Sequence, residues 1–252
     1  ALDASAGLAK DAGKTRLAAT LALSRAAYGD AKLSGGGTLS QEERNSTLLT
    51  ATLRAGYEVS PSLVPFVEIS GGRRFMDLAT DAAGYDRSAY RLALRGGLEI
   101  DRGEKLRGEV SVGWLRESFD DTRLASLSGL SVDGTLTWSP VRETTMTLRG
   151  TTSVEGTTTA GNSGSLLHSA EARIARAIRE NLTGEIGAGV SLRDYAGSSD
   201  LDVIASGTAS LTWWLNRYAG ITGRVRYEQV SSTLAGMDSR TGSAFLGLTL
   251  RR

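Results

Sequence analysis

Apolar and polar residues alternate along most of this chain, in segments of about ten residues separated by turn-forming sequences. In residues 182–192, for example, Leu182, Ile186 and Val190 share one parity, while Thr183 and Glu185 share the other. A period of two indicates β-strands, because successive side chains point to opposite faces. At about 3.3 Å per residue such segments can cross a bilayer when tilted, whereas ordinary strands average about five or six residues. We therefore expect an all-β protein, a transmembrane up-and-down antiparallel β-barrel.

The alternation predicts thirteen strands within a single domain, residues 1–252. They are expected at 2–10, 15–28, 46–58, 63–74, 88–101, 106–119, 128–139, 144–155, 165–177, 182–195, 202–215, 218–230 and 241–251. Short and long connections alternate between them, the long ones at 29–45, 75–87, 120–127, 156–164, 196–201 and 231–240. Because outer-membrane barrels have tight periplasmic turns and longer external loops, we expect the short turns on the periplasmic side.

The number of wall strands is left open between twelve and fourteen. Single-chain bacterial barrels have an even number of strands, so thirteen leaves one edge unpaired. Either residues 2–10 are not a wall strand and the barrel has twelve, or sequence upstream of Ala1 supplies a fourteenth strand. The good alternation of residues 2–10 and the tight turn at 11–14 favour fourteen.

Large aromatic residues lie toward the two ends of the predicted strands. Tyr57, Trp138, Trp213 and Tyr218 are beside short turns. Those toward the long loops are Tyr28, Tyr90, Trp114, Phe119, Tyr195 and Tyr227. Two such clusters are typical of the aromatic girdles at membrane interfaces.

One parity of the strands carries arginine and acidic residues, while the other carries Leu, Val, Ile, Ala and Gly. The residues predicted to line a pore are Arg54, Glu58, Arg91, Arg95, Glu99, Arg107, Glu109, Arg149, Glu171, Arg173, Glu185, Arg193, Arg224, Arg226 and Glu228, and Glu68, Asp133 and Glu155 share their parity. A polar lumen explains this division. In a narrow barrel such charges can instead form ladders that fill the interior, but the glycines on the same parity favour an open path.

Composition excludes several classes of protein. No apolar run of 18 residues is present, so a helical membrane span is excluded. A net charge of +1 indicates no nucleic-acid binding. The chain has no cysteine and one histidine, so no metal site is expected; Asp200 and Asp202 are candidates for loose cation binding. Since the chain begins at Ala1 without a signal peptide, we expect that a leader was removed or that a longer precursor exists.

Candidate catalytic motifs are weak, and we expect neither an enzyme nor a cofactor. The parity of His168 places it on the outward face with Leu166, away from the partners that a hydrolytic histidine requires. Gly7 and Gly13-Lys14-Thr15 are separated by five residues, whereas a phosphate-binding loop requires four between its glycines.

Several short motifs resemble the putative beta-barrel porin (type 2) family of outer-membrane proteins. They are Pro65-Phe66-Val67-Glu68, Tyr85-Asp86-Arg87-Ser88, Gly113-Trp114, Leu130-Ser131-Val132-Asp133-Gly134, Leu136-Thr137-Trp138-Ser139-Pro140, Thr144 to Leu148 and Val154-Glu155-Gly156-Thr157, within residues 45–251. The resemblance implies an outer-membrane barrel, and it brings no substrate or catalytic residues. The chain departs from many such barrels at its end, where Thr249-Leu250-Arg251-Arg252 replaces a terminal aromatic residue.

Two functions remain open from the sequence. The first is a porin-like channel in the bacterial outer membrane for passive diffusion of small hydrophilic solutes. The second is a structural barrel that anchors or forms part of a cell-envelope or export assembly, with proteins of that assembly as partners. In both cases the expected surroundings are outer-membrane lipid and lipopolysaccharide, and the fold does not distinguish them.

Overall fold

The computed structural model describes residues 1–32, 35–159, 161–234 and 236–250. It is all-β, with strands β1 Leu2–Ala12, β2 Thr15–Ala26, β3 Ala31–Lys32, β4 Thr38–Leu39, β5 Ser46–Tyr57, β6 Leu63–Met76, β7 Ala89–Asp101, β8 Leu106–Phe119, β9 Leu127–Trp138, β10 Thr144–Glu155, β11 Ser165–Arg179, β12 Leu182–Tyr195, β13 Leu201–Trp214, β14 Ala219–Ser232 and β15 Ser239–Leu250. A single 3-10 turn spans Glu42–Arg44. Among the described residues, no helix has the length and apolar character needed to cross a membrane.

Thirteen of these strands form one antiparallel sheet in which sequence neighbours are also spatial neighbours. All thirteen predicted strands are confirmed, with ends that differ from the prediction by no more than two residues. The short strands β3 and β4 form a separate hairpin inside the connection from β2 to β5, and two residues are too few to show a period.

The N-terminal segment belongs to the sheet. β1 pairs with β2 along its whole length, from Leu2 opposite Arg25 to Ala12 opposite Thr15. Within the described residues, β1 and β15 do not pair with each other, so the sheet is not closed. The structure therefore confirms neither a barrel of twelve strands nor one of fourteen.

The two surfaces of the sheet differ in chemistry. We call the face bearing Arg54, Arg95 and Glu109 the charged face, and the opposite one the apolar face. On the apolar face, Leu53, Leu94 and Ile186 each expose more than half of their surface. Contiguous apolar surface of this extent is rare on soluble monomers and marks a surface that contacts a membrane or a partner.

The sheet curls toward the charged face. Arg54 on β5 lies 2.9 Å from Glu109 on β8, and Arg16 on β2 lies 3.6 Å from Glu99 on β7. Two other strands separate the members of each pair, so a flat sheet would hold their backbones about 14 Å apart. These contacts across intervening strands therefore show that the charged face is concave.

The antiparallel order places all long connections at one end of the sheet and all short turns at the other. On the apolar face, Trp138 and Trp213 are exposed near the short turns, and Tyr90 and Tyr227 are exposed toward the long loops.

Three aromatic residues do not fit the predicted girdle. Tyr28 lies against Arg44 in a cavity on the charged face, and the other two lie on that face within strands. Phe119 and Tyr195 have the parity of Glu117 and Arg193 and lie on the charged face. Phe119 packs against a buried apolar cluster there, and the Tyr195 hydroxyl donates a 2.8 Å hydrogen bond to Asp202. The girdle prediction used only how close each aromatic residue lies to a long loop. Closeness to a loop does not determine the face of the sheet on which the Phe119 and Tyr195 rings lie.

A matched pair of glycines tests the packing of the charged face. Phe66 is 5% exposed, Arg54 lies 3.5 Å from its ring centroid, and Gly97 is its register partner on β7. A Cβ at Gly97 would overlap the Phe66 ring and the Val110 carbonyl oxygen. We expect Gly97→Ala to lower the free energy of unfolding by about 1–3 kcal/mol.

The control is the adjacent Gly96→Ala on the apolar face, where a Cβ would meet only the Phe66 carbonyl oxygen, at 3.9 Å. It should change the free energy of unfolding by no more than about 0.5 kcal/mol. Urea unfolding of both variants measures the difference, and equal losses would contradict this packing.

Candidate functional site

A chain of alternating charges crosses the charged face toward the short turns. Arg16 lies 2.8 Å from Glu58 and 3.6 Å from Glu99, and Arg54 lies 3.5 Å from Glu99 and 2.9 Å from Glu109. All five side chains stay partly exposed, so each pair adds little stability. The main effect of the network is to hold the side chains along the wall.

A second group of charges lies on β11 to β14. Arg173 contacts Glu171 at 2.8 Å and Glu185 at 3.7 Å, and Arg226 contacts Glu228 at 2.8 Å. A cavity of about 450 Å³ next to them is lined by Arg224, Gly187, Gly189 and Ser206, among others. The glycines leave space at the wall because they have no side chain.

All residues predicted to line a pore lie on the charged face, as the registers show for those within strands and the contact with Arg16 shows for Glu58. In the described part of the chain, most of them form ion pairs, and Arg107, Arg149 and Arg224 form none. Their role in lining a pore stays a prediction.

The sequence analysis missed Arg74 and Glu117, which lie with the predicted Arg91 at the long-loop end of the charged face. The carboxylate of Glu117 is 1% exposed and lies 2.9 Å from Arg74 and 2.6 Å from Arg91. Glu117 Oε1 faces Arg74 Nη1 without hydrogen-bond geometry, so that contact is ionic. Glu117 has the same parity as Glu109, so the alternation along β8 could have identified it. Its buried negative charge is compensated by the guanidinium groups of Arg74 and Arg91.

The β10–β11 hairpin leaves the sheet at this end. β10 pairs with β9 only over Met146 to Thr151. Beyond that point, the Val132 amide donates to the Thr152 hydroxyl at 2.9 Å instead of to a backbone carbonyl. Residues 152–155 keep their pairing with β11, so the two strands separate from β9 together.

Leu166 corrects the predicted parity. It was expected on the apolar face, but it is 3% exposed and packs against Ala93, Leu115 and Leu127 on the charged face of β7 to β9. The parity argument assumes an unbroken ladder, and the ladder between β9 and β10 is broken here. The end of the hairpin therefore folds over the charged face.

The hairpin tip, residues 156–159 and 161–164, is held by one buried arginine. Arg87 Nε donates to Asp81 at 2.5 Å, and its two terminal nitrogens donate to the carbonyl oxygens of Asn162 and Thr159 at 2.8 and 2.9 Å. Arg87 is 5% exposed. It fixes the tip to the loop between β6 and β7, four strands away in the sheet order.

Hydrogen bonds determine the ionisation of the acids in these loops. Burial alone would raise the pKa of Asp81, but hydrogen bonds from the Tyr85 amide, the Arg87 side chain and the Ala83 amide hold that pKa below its ordinary value. A side-chain hydrogen bond from Arg123 lowers the pKa of Asp121 far below the usual carboxyl range. Arg123 also donates to the Gly84 carbonyl, so these two loops are linked.

The candidates for other chemistry do not assemble into a site. Among the described residues, the His168 side chain hydrogen-bonds only the Thr152 hydroxyl, at 3.0 Å. Asp202, a sequence candidate for loose cation binding, accepts from Arg193, Tyr195 and Ser232 at 2.9, 2.8 and 2.6 Å. No group of three or more metal-ligating side chains occurs in the ranges that the structure describes.

A family model described as putative beta-barrel porin 2 matches residues 1–252, the whole chain. No curated protein matches.

Docking of the hairpin tip should depend on pH through Asp81. Because the folded-state pKa of Asp81 is lowered, its contribution to docking is complete above the ordinary carboxyl pKa, about 4, and is lost as the pH falls through the lowered value. The chain has no cysteine, so a nitroxide on Thr158→Cys reports on the tip alone. Its spectrum should show an immobile label from pH 7 to about pH 4 and a mobile label in stronger acid.

The substitution Asp81→Asn removes the negative charge of this side chain at neutral pH, so it tests the same ion pair without a change of pH. In this variant the label at position 158 should be mobile already at pH 7, because the Arg87 guanidinium loses its carboxylate partner. The same immobile spectrum in both proteins at pH 7 would contradict the role given to this ion pair.

Proposed function

The chain belongs to the putative beta-barrel porin 2 family, and from this premise we propose that it forms an outer-membrane channel for passive diffusion of small hydrophilic solutes. The observation that carries the proposal is the division of one long-stranded sheet into a concave charged face and an exposed apolar face. In a barrel the apolar face contacts lipid and the charged face surrounds water.

Backbone chemistry supports closure of the sheet in a membrane. Each unpaired N–H or C=O group in hydrocarbon costs free energy, so strands span membranes only as closed barrels. The proposal therefore includes closure into a barrel. The barrel has twelve strands if β1 is not part of its wall, and fourteen if one further strand pairs with the open edges of the sheet.

The exposure of the charged side chains favours an open lumen over a filled one. Most ion-paired residues of the wall keep a fifth or more of their side chain accessible, for example 23% at Arg54 and 51% at Arg173. The cavity of about 450 Å³ beside Gly187 and Gly189 adds free space along β12. Solutes would be selected by the width of this path and by the field between its arginine and glutamate side chains.

The rest of the proposed setting follows from the membrane location. The short turns would be periplasmic and the long loops extracellular, and the apolar face would contact lipid and lipopolysaccharide. In this proposal the protein has no catalytic activity and binds no nucleic acid.

Conductance in a planar bilayer tests the channel. We expect steady single-channel openings, and we expect a cationic thiol reagent to reduce them in Ser206→Cys, since Ser206 lies on the charged face opposite Glu228. The adjacent Ala205→Cys, on the apolar face, is the control and should not respond. A silent bilayer would refute the channel and favour the structural anchor, and equal effects at the two positions would refute the assignment of the lumen.

Labelling of intact cells tests the orientation. Ala82 is in the loop between β6 and β7, and Glu104 is in the short turn between β7 and β8. With a membrane-impermeant thiol reagent, Ala82→Cys should be labelled on whole cells and Glu104→Cys only after permeabilisation. The reverse result would show that the short turns are outside.

A further inference from the structure

A cavity at the long-loop end of the charged face has an unusual lining. It has a volume of about 290 Å³ and lies between the hairpin tip and the wall formed by β2, β5, β6 and β7. Four arginines line it, Arg44, Arg74, Arg87 and Arg91, and no acidic side chain does so within the described residues.

The partners of these arginines leave an excess of positive charge. Arg87 is saturated by Asp81 and two carbonyl oxygens, so it positions the hairpin tip. Arg74 and Arg91 share a single carboxylate, that of Glu117. Arg44 has uncharged partners, the Gln41 side-chain oxygen at 2.8 Å and the Tyr28 ring at 4.3 Å from its centroid.

The hairpin tip adds hydroxyl groups to the same cavity. Ser163 lines it and is 1% exposed, and its Oγ atom has no hydrogen-bond partner among the residues that the structure describes. Buried hydroxyls are normally hydrogen-bonded, so an unpaired one beside a cluster of arginines marks a place for an acceptor. Thr157 and Thr158 lie on the same side of the cavity.

We propose that this cavity binds a small multivalent oxyanion, a carboxylate or a phosphate, and makes the channel selective for anions. Arg44, Arg74 and Arg91 supply the guanidinium groups, which bind such anions through paired hydrogen bonds, and Ser163 donates a further one. The volume is at the lower end of ligand pockets, so the solute is small. The cavity opens on the charged face, so the source is a soluble solute, and lipid phosphates on the apolar face do not reach it.

This assignment rests on the proposed channel, because it names the class of solute that the channel favours. Reversal potentials in a potassium chloride gradient measure that preference. We expect chloride to be several-fold more permeant than potassium, and we expect citrate and inorganic phosphate to reduce the chloride current. In Arg44→Gln both effects should be weakened, and in Arg44→Gln with Arg74→Gln they should be lost.

The matched control is Arg142→Gln, in the short turn between β9 and β10, which removes the same charge far from the cavity and should leave the selectivity unchanged. Arg74→Lys retains the charge and should keep most of the chloride preference while binding citrate less tightly, because lysine does not form the paired hydrogen bonds.

Calorimetry on the detergent-solubilised protein separates failure of the site from failure of the channel. Citrate and phosphate should each bind, about ten- to a hundredfold more weakly in Arg44→Gln, as expected for loss of charge-assisted hydrogen bonds. Binding without conductance would support the site and refute the channel. Conductance without anion preference, or binding that Arg44→Gln does not change, would overturn the site.

Discussion

Backbone hydrogen bonding between antiparallel neighbours fixes the register on which every other property of this molecule depends. A shift of one residue in any ladder would move charged side chains to the apolar face and leucines to the charged face. The register pairs Arg54 with Glu68 and Glu68 with Arg95, while Leu53, Ile69 and Leu94 adjoin on the other side. Ion pairs that reach across intervening strands show that the sheet curves toward the charged face, so that the charges line its concave side and the leucines its convex side.

The pairing of β10 with β9 ends early, and the candidate anion site lies where it ends. Once β10 leaves β9 after Thr151, its hairpin is free to turn over the charged face. Leu166 then anchors it in the apolar cluster, and Arg87 fixes its tip to the opposite loop. The same contacts bring Ser163 beside Arg74 and Arg91. The local loss of pairing therefore narrows one end of the charged face and gives it a binding surface of mixed arginine and hydroxyl groups.

Period-two alternation was sufficient to predict the strands, their order and the two faces. It predicted the face on which charges such as Arg54, Glu68 and Arg95 lie, because continuous ladders keep the side-chain alternation in step from β5 to β7. The alternation gave the wrong face for Leu166. It does not show where a strand bends away from its neighbour, and the hairpin that carries Leu166 bends over the charged face. It could not find Arg87, which lies in a loop without a period, or β3 and β4, which have two residues each. Contacts such as Arg54 to Glu109 depend on curvature, which the pattern of single residues does not determine.

The central claim is that the apolar face contacts lipid and the charged face contacts water. Nitroxide labels at successive positions from Thr183 to Leu192 of β12, in protein reconstituted into liposomes, test it most directly. Collision rates with oxygen, which concentrates in lipid, and with a polar nickel complex, which remains in water, would be measured at each position. The account predicts a period of two, with oxygen contact highest at Ile186, Ala188 and Val190 and nickel contact highest at Glu185, Gly187 and Gly189. Reversed parity, or equal exposure of both sets to the nickel complex, would contradict it.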